Sequence, residues 1–249
     1  MTLGIICAFF LDPNTGKTIL PTLGGKKSVA CEINNQGQIV GFSDTSSNIM
    51  HAFLWDNING IYDLTPTSTL NTVARSINDS GQVVCEDKNT YLIETEKEGK
   101  ITTLPVKISG HSQINNKGYI TGMVMSTPNQ YDLISWHPDS GLKSLLRSDY
   151  EASPKINEHN QIIISHVENL NIILITVHGR FKNDLLDPNL GTISLDGYVP
   201  IGKNENLILT DINNKGCIIG AIQSTKDSKS VGVLFEPIPE KMKKLKDRK

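Results

Sequence analysis

Ile33-Asn-Asn-Gln-Gly-Gln-Ile-Val40 decides the reading of this chain, because the same pattern occurs five times. The other copies are Ile77-Asn-Asp-Ser-Gly-Gln-Val-Val84, Ile114-Asn-Asn-Lys-Gly-Tyr-Ile-Thr121, Ile156-Asn-Glu-His-Asn-Gln-Ile-Ile163 and Ile212-Asn-Asn-Lys-Gly-Cys-Ile-Ile219, at spacings of 44, 37, 42 and 56 residues. In each, an apolar β-branched residue ends one run and an Asn follows whose side chain can bond the backbone two residues on. Three positions later comes a Gly, then a second apolar run. That order predicts a type I turn closed by a left-handed residue and a bulge, joining two antiparallel strands. Asn160 stands for the glycine in the fourth copy. Asparagine is the non-glycine residue that best tolerates positive φ, so the exception fits the same geometry.

A second hairpin recurs downstream. Ala52-Phe-Leu-Trp-Asp-Asn-Ile-Asn-Gly60 and Leu133-Ile-Ser-Trp-His-Pro-Asp-Ser-Gly141 place Trp55 and Trp136 each 22 residues after the motif isoleucine. Ala8-Phe-Phe-Leu-Asp-Pro-Asn-Thr-Gly16 is the same unit without an upstream half. Ile172-Ile-Leu-Ile-Thr-Val-His-Gly179 reads as a shortened version, and Val231-Gly-Val-Leu-Phe-Glu-Pro237 as one without its following strand. Apolar runs at 18–20, 61–64, 101–104 and 142–146 supply a fourth strand, and the 56-residue spacing is assigned to an insertion at 183–206.

Four antiparallel strands in about 40 residues, repeated with the same turn chemistry, predict an all-β fold, a β-propeller of four-stranded blades. Five blades are expected, or six if the N-terminal pair stands alone or the insertion adds strands; an open β-sandwich is the competing architecture. The chain begins with the last two strands of a unit and ends with the first three of another. One terminus is therefore expected to complete the other's sheet and leave no free edge. Residues 1–239 are read as one propeller domain and 240–249 as a basic disordered tail.

The run Ala30-Cys-Glu-Ile-Asn-Asn-Gln-Gly-Gln-Ile-Val-Gly41, followed by His51-Ala-Phe-Leu-Trp55 and Asp63-Leu64, resembles the HAF repeat, named for its His-Ala-Phe. Leu20-Pro-Thr-Leu-Gly-Gly25 is similar to the linker between such units. Asn183-Asp-Leu-Leu-Asp-Pro-Asn-Leu-Gly191, Asp211-Ile-Asn-Asn214 and Leu234-Phe-Glu-Pro-Ile-Pro-Glu240 resemble its terminal unit. The resemblance spans about residues 8–239. It implies a bacterial repeat protein, extracellular or secreted, and no activity or catalytic residue. Only the first full unit keeps an intact His-Ala-Phe.

Composition narrows the function classes. With 38% hydrophobic and 20% charged residues, the 249-residue chain can bury a core. Lys+Arg 24 against Asp+Glu 26 removes the electrostatic case for a nucleic acid partner. The tail carries about +4 and the rest about −6. No apolar stretch approaches the ~18 residues of a membrane span. The apolar start, 3–11, lacks the basic flank of a signal peptide, so a cytoplasmic location is the alternative to export. Cys7, Cys31, Cys85 and Cys217 form no CxxC pair and are read as small buried thiols, although an even count permits two disulfides.

No residue set has catalytic, metal-binding or cofactor-binding spacing, so no catalytic, metal or cofactor site is assigned and no binding residue is singled out. His51 opens a strand and is read as hydrogen-bonded there, with ligand contact as the alternative. His137, His159 and His178 are read as turn residues, and no zinc spacing links these to His111 or His166. Equivalent placement of Trp55 and Trp136 suggests packing between repeats, with sugar platforms as the alternative. Asp184, Asp187, Asp196, Glu151 and Glu158 are the acids that could pair across a ring. The expected function is a non-catalytic scaffold, monomeric, that engages a protein or glycan partner through 183–206 and the loops 43–50 and 126–130. A glycan-active hydrolase with acids at the ring's mouth is the alternative, and a fragment of a longer repeat protein a third.

Overall fold

The computed structural model describes residues 6–95, 99–149, 151–173, 176–196, 198, 202, 205–226 and 229–236, with backbone alone for those between 166 and 181. The N-terminal residues 1–5 and the basic tail lie outside them. All regular structure described is β-strand, arranged as sheets of consecutive antiparallel strands. The chain divides into two compact units, Met1–Ile108 and Ser109–Lys249.

The first unit holds a two-stranded sheet, β1 (Phe9–Asp12) and β2 (Gly16–Ile19), and two four-stranded sheets. One is β3 (Gly24–Ile33), β4 (Ile39–Thr45), β5 (Met50–Asp56) and β6 (Gly60–Asp63). The other is β7 (Val73–Ile77), β8 (Gln82–Glu86), β9 (Thr90–Glu94) and β10 (Lys100–Thr103). In the second unit, β11 (Ser109–Ile114), β12 (Ile120–Thr127), β13 (Gln130–His137) and β14 (Gly141–Ser148) form one sheet. A second comprises β15 (Lys155–Ile156), β16 (Ile162–Ile173), β17 (Thr176–Asp187) and β18 (Gly191–Ser194), and a third β19 (Glu205–Ile212), β20 (Ile218–Ser224) and β21 (Ser230–Phe235).

The five Ile-Asn motifs join the first and second strands as expected. In the first, Asn34 N–H donates to Gln38 O at 3.0 Å and Gly37 N–H to Asn34 O at 3.1 Å. The Asn34 Oδ1 accepts the N–H groups of Gln36 and Gln38. The same side-chain oxygen does this at Asn78, Asn115, Asn157 and Asn213. Asn160 takes φ 59°, beside glycines at 67–81° in the other copies. The left-handed position is thus the constraint that the motif encodes.

The asparagines also reach forward, which the spacing did not reveal. Asn34 Nδ2 donates to Asn78 O, Asn115 Nδ2 to Asn157 O and Asn157 Nδ2 to Asn213 O, each at 3.0 Å. The next motif residue adds a second link: Asn35 N–H to Asp79 Oδ1, Asn116 N–H to Glu158, and Glu158 N–H to Asn214 Oδ1. Each turn therefore clasps the following turn of its unit. Turn formation alone, the reading made from the Asn pairs, is half of their role. An acceptor-bearing side chain at all five second positions was the available signal.

Strand register repeats with the turns. Ile39 pairs Trp55, Ile120 pairs Trp136, Ile162 pairs Leu186 and Ile218 pairs Phe235. Alternation along each strand gives every sheet two apolar faces. On one face of β3–β6, Ile39, Phe53 and Trp55 pack with Ala8 and Leu20, and the Phe10 and Trp55 ring centroids lie 5.8 Å apart. On the other, Val40, Ala52 and Leu64 pack with Ala74, Val83, Cys85 and Ile93 of β7–β10. The second unit repeats the scheme: Met123 and Leu133 meet Ile162, Ile164 and Leu186, and Ile163 and Leu185 meet Leu207, Leu209 and Ile218. Trp55 and Trp136 are both buried, which is the packing role their equivalence suggested.

Two sequence readings are corrected. Ile172–Gly179 is no hairpin of the second kind; its described residues, 172–173 and 176–179, belong to the long β16–β17 ladder, where Asn171 pairs His178. The segment read as an insertion instead contains the regular hairpin β17–β18, with Asp187 opposite Gly191 as Asp12 is opposite Gly16 and Asp56 opposite Gly60. The extra length sits in two twelve-residue strands. Leu186-Asp-Pro-Asn-Leu-Gly191 repeats Leu11-Asp-Pro-Asn-Thr-Gly16 almost letter for letter, and that likeness carried the answer.

Candidate functional site

The loops expected to meet a partner are short. Residues 43–45 and 50 are strand, and 46–49 form a turn in which Asn48 N–H donates to Thr45 O and Asn48 takes φ 60°. At 126–130 only Pro128 and Asn129 lie between β12 and β13. Tight hairpins with satisfied backbones offer little adaptable surface.

The acids weighed for catalysis hold backbone and amide groups. Asp187 Oδ1 accepts the N–H groups of Asn189 and Leu190, and Oδ2 accepts Gln161 Nε2 at 2.7 Å. Asp196 accepts Asn183 Nδ2 at 2.9 Å, and Glu158 accepts Asn116 N–H. Asp184 is buried, whereas Glu151 lies exposed beside Gly110. A further charged cluster, not singled out in the sequence, surrounds buried Glu86: Arg75 Nε donates to it at 3.2 Å and Lys107 Nζ lies 3.9 Å away. Desolvation holds the Lys107 ammonium below its ordinary range despite that carboxylate.

His51 is buried, with Nδ1 2.8 Å from Asp63 Oδ2 and Nε2 3.1 Å from Ser68 O, the hydrogen-bonded strand start that was expected. His137 occupies the hairpin position that Asp12, Asp56 and Asp187 fill elsewhere. Its Nδ1 accepts Asp139 N–H, its Nε2 therefore donates to Lys117 O, and its ring stacks on Tyr119. His159 lies in the fourth Ile-Asn turn and His111 is exposed on β11. The side chains of His166 and His178 lie outside the described residues. All four cysteines are free thiols; Cys85 is buried, and burial pushes its thiol far above the ordinary range. Cys31 is exposed at a bulge of β3, against the expectation of burial.

The cavity that stands out lies within the first unit, where hairpin β5–β6 faces hairpin β9–β10. It holds about 610 Å³, within the roughly 300–1,000 Å³ of small-molecule sites. Leu54, Leu64 and Ile93 form the floor, and Asp56, Asn59, Tyr62 and Thr95 the rim. Tyr62 stands opposite Leu54 in the ladder and is 64% exposed. At the same ladder position the other hairpins carry Thr18, Thr102, Lys143 and Ile193. Repeats reuse their packing residues, so an exposed aromatic ring at one copy alone is outside the packing scheme.

The rim is rigid and rich in acceptors. Asp56 Oδ1 accepts Ile58 N–H and Asn59 N–H, while Asn59 Nδ2 lies 2.9 Å from Asp56 Oδ2. The Asn59 side-chain amide, then its backbone N–H, hold the Asp56 carboxyl below the usual carboxylate range. A depressed folded value means that the hairpin gains support above about pH 3.9 and loses it as pH falls through the lower folded value. Amide exchange at Ile58 and Asn59 is expected to stay slow at pH 4 and to accelerate below it. Exchange already fast at pH 4 would contradict the assignment.

No family model matches the chain, and no curated protein matches it. Solved structures with some likeness include AofleA from Arthrobotrys oligospora, at 12% identity over 88% of this chain and 72% of that one, with a TM-score of 0.46. A DUF4784 family protein from Bacteroides caccae is 11% identical over 81% of this chain and 60% of its own, with a TM-score of 0.40. The tricorn protease is 9% identical, with 90% of this chain and 22% of that chain covered and a TM-score of 0.32.

Proposed function

We propose that this chain is a non-catalytic β-propeller scaffold of the HAF-repeat kind, working as a monomer outside the cell on a protein or glycan partner. The observation that supports it is the repeated stacking within each unit. The four-stranded sheets repeat one register, and within each unit turn clasps tie neighbouring sheets that carry the Ile-Asn turn. Stacked blades of a ring need that arrangement.

Two measurements test the reading. Small-angle scattering with native mass spectrometry is expected to give a monomer with a radius of gyration near 18 Å, the compact value for this length. A radius above about 22 Å, or an obligate dimer, would overturn the closed monomeric ring. Incubation with a glycan panel is expected to release no sugar. Hydrolysis that disappears with one Asp or Glu substitution would replace the scaffold with a hydrolase.

A further inference from the structure

We propose that the groove between β5–β6 and β9–β10 is a binding site for a neutral pyranose unit of a glycan. This rests on the scaffold reading and gives it a site and a ligand class. The floor of Leu54, Leu64 and Ile93, with the exposed Tyr62 ring at its edge, offers an apolar surface of the kind that the C–H face of a sugar ring covers. The rim dictates the polar side of the match. Asn59 Nδ2 turns one N–H to the Asp56 carboxylate, so Asn59 offers a ligand its Oδ1 as acceptor and a second N–H. The Thr95 hydroxyl donates its hydrogen to Gly81 O at 2.8 Å, so towards a ligand it can only accept. Asp56 is itself an anion that accepts and never donates in this state.

A rim on which acceptors predominate, with donors at Asn59 and the Tyr62 hydroxyl, calls for a ligand that both donates and accepts, and sugar hydroxyls do so around an apolar ring. The same acceptors, with the Asp56 carboxylate among them, disfavour uronates and other anionic sugars, which bring like charge to the rim. The ring of Tyr62 is the specificity element because no other copy of the hairpin has an aromatic residue there.

Saturation-transfer NMR and calorimetry on the full chain would decide it, with methyl glucoside, galactoside and mannoside as probes. Glucuronate, galacturonate and argininamide are the competitors. At least one neutral glycoside is expected to bind at about millimolar affinity. Tyr62→Ala is expected to weaken that binding at least about tenfold, while Tyr62→Phe, which keeps the ring, retains most of it. Tyr198→Ala, at an exposed tyrosine of the second unit, should change nothing, and all three variants should melt with the parent. Absence of transfer to every neutral glycoside would overturn the site, as would binding indifferent to Tyr62→Ala, uronates binding equally well, or argininamide binding in preference to all sugars. None of these failures alters the scattering profile, so the scaffold reading and the site fail separately.

Discussion

Replacing Asn157 with alanine is expected to lower the thermal midpoint by roughly 8–16 °C, the shift that about 4 kcal/mol gives a chain of this size. The side chain is only 3% exposed and makes four hydrogen bonds. Two N–H groups, at His159 and Gln161, lose their acceptor, and Asn213 O loses the donor that reaches it from the neighbouring sheet, keeping only Gly216 N–H. These bonds are partly shielded from water by the buried Asn157, and a group left unpaired in such a place costs about 1–3 kcal/mol. The comparison that isolates the clasp is Asn213→Ala. Asn213 makes the same hairpin bonds but is exposed, with no forward clasp among the described residues. Its loss should cost about 1 kcal/mol. Equal melting shifts at the two positions would mean that the hairpin alone matters and that the link between sheets contributes nothing.

Gly41→Ala is the second large effect, about 3 kcal/mol of destabilisation. Gly41 pairs Ala30 at the β3 bulge, and a Cβ built on it would lie 2.0 Å from Val29 O and 3.0 Å from Val29 C. Both atoms are backbone, so relief requires the two strands to separate rather than a side chain to rotate. Both sheet faces are packed at this level, by Ile39 and Phe53 on one side and Val40 and Ala52 on the other. Gly232→Ala provides the contrast: a Cβ there meets nothing within 4 Å. It should change stability by less than about 0.5 kcal/mol. Denaturant melts of the two variants would settle the matter, and a Gly41→Ala protein as stable as Gly232→Ala would refute the close approach.

Local chemistry made the hairpins legible. Asn34 and its counterparts, the left-handed glycines and the tryptophan register all follow from residues within a few positions of each other. The region after Ile162 misled because Ile172-Ile-Leu-Ile-Thr-Val has the apolar density of a strand entering a turn, while a lengthened ladder has no turn residue to announce it. The groove was illegible for a different reason. Tyr62 and Thr95 are 33 positions apart, and only the stacking of one sheet on the next brings them to one rim. Nothing in the linear pattern marks Tyr62 except that its repeat partners are not aromatic.

The clasps sit at the end of each sheet opposite the segments that lead from one sheet to the next, such as residues 64–72 and 104–108. Alignment between neighbours is therefore written into the turns as well as into the linkers, whose Leu64, Thr72, Leu104 and Ile108 are buried. Repeat spacing can drift while the turn sequence stays fixed, as the two twelve-residue strands β16 and β17 show. A new repeat could be spliced in wherever its own asparagine finds the carbonyl of its successor.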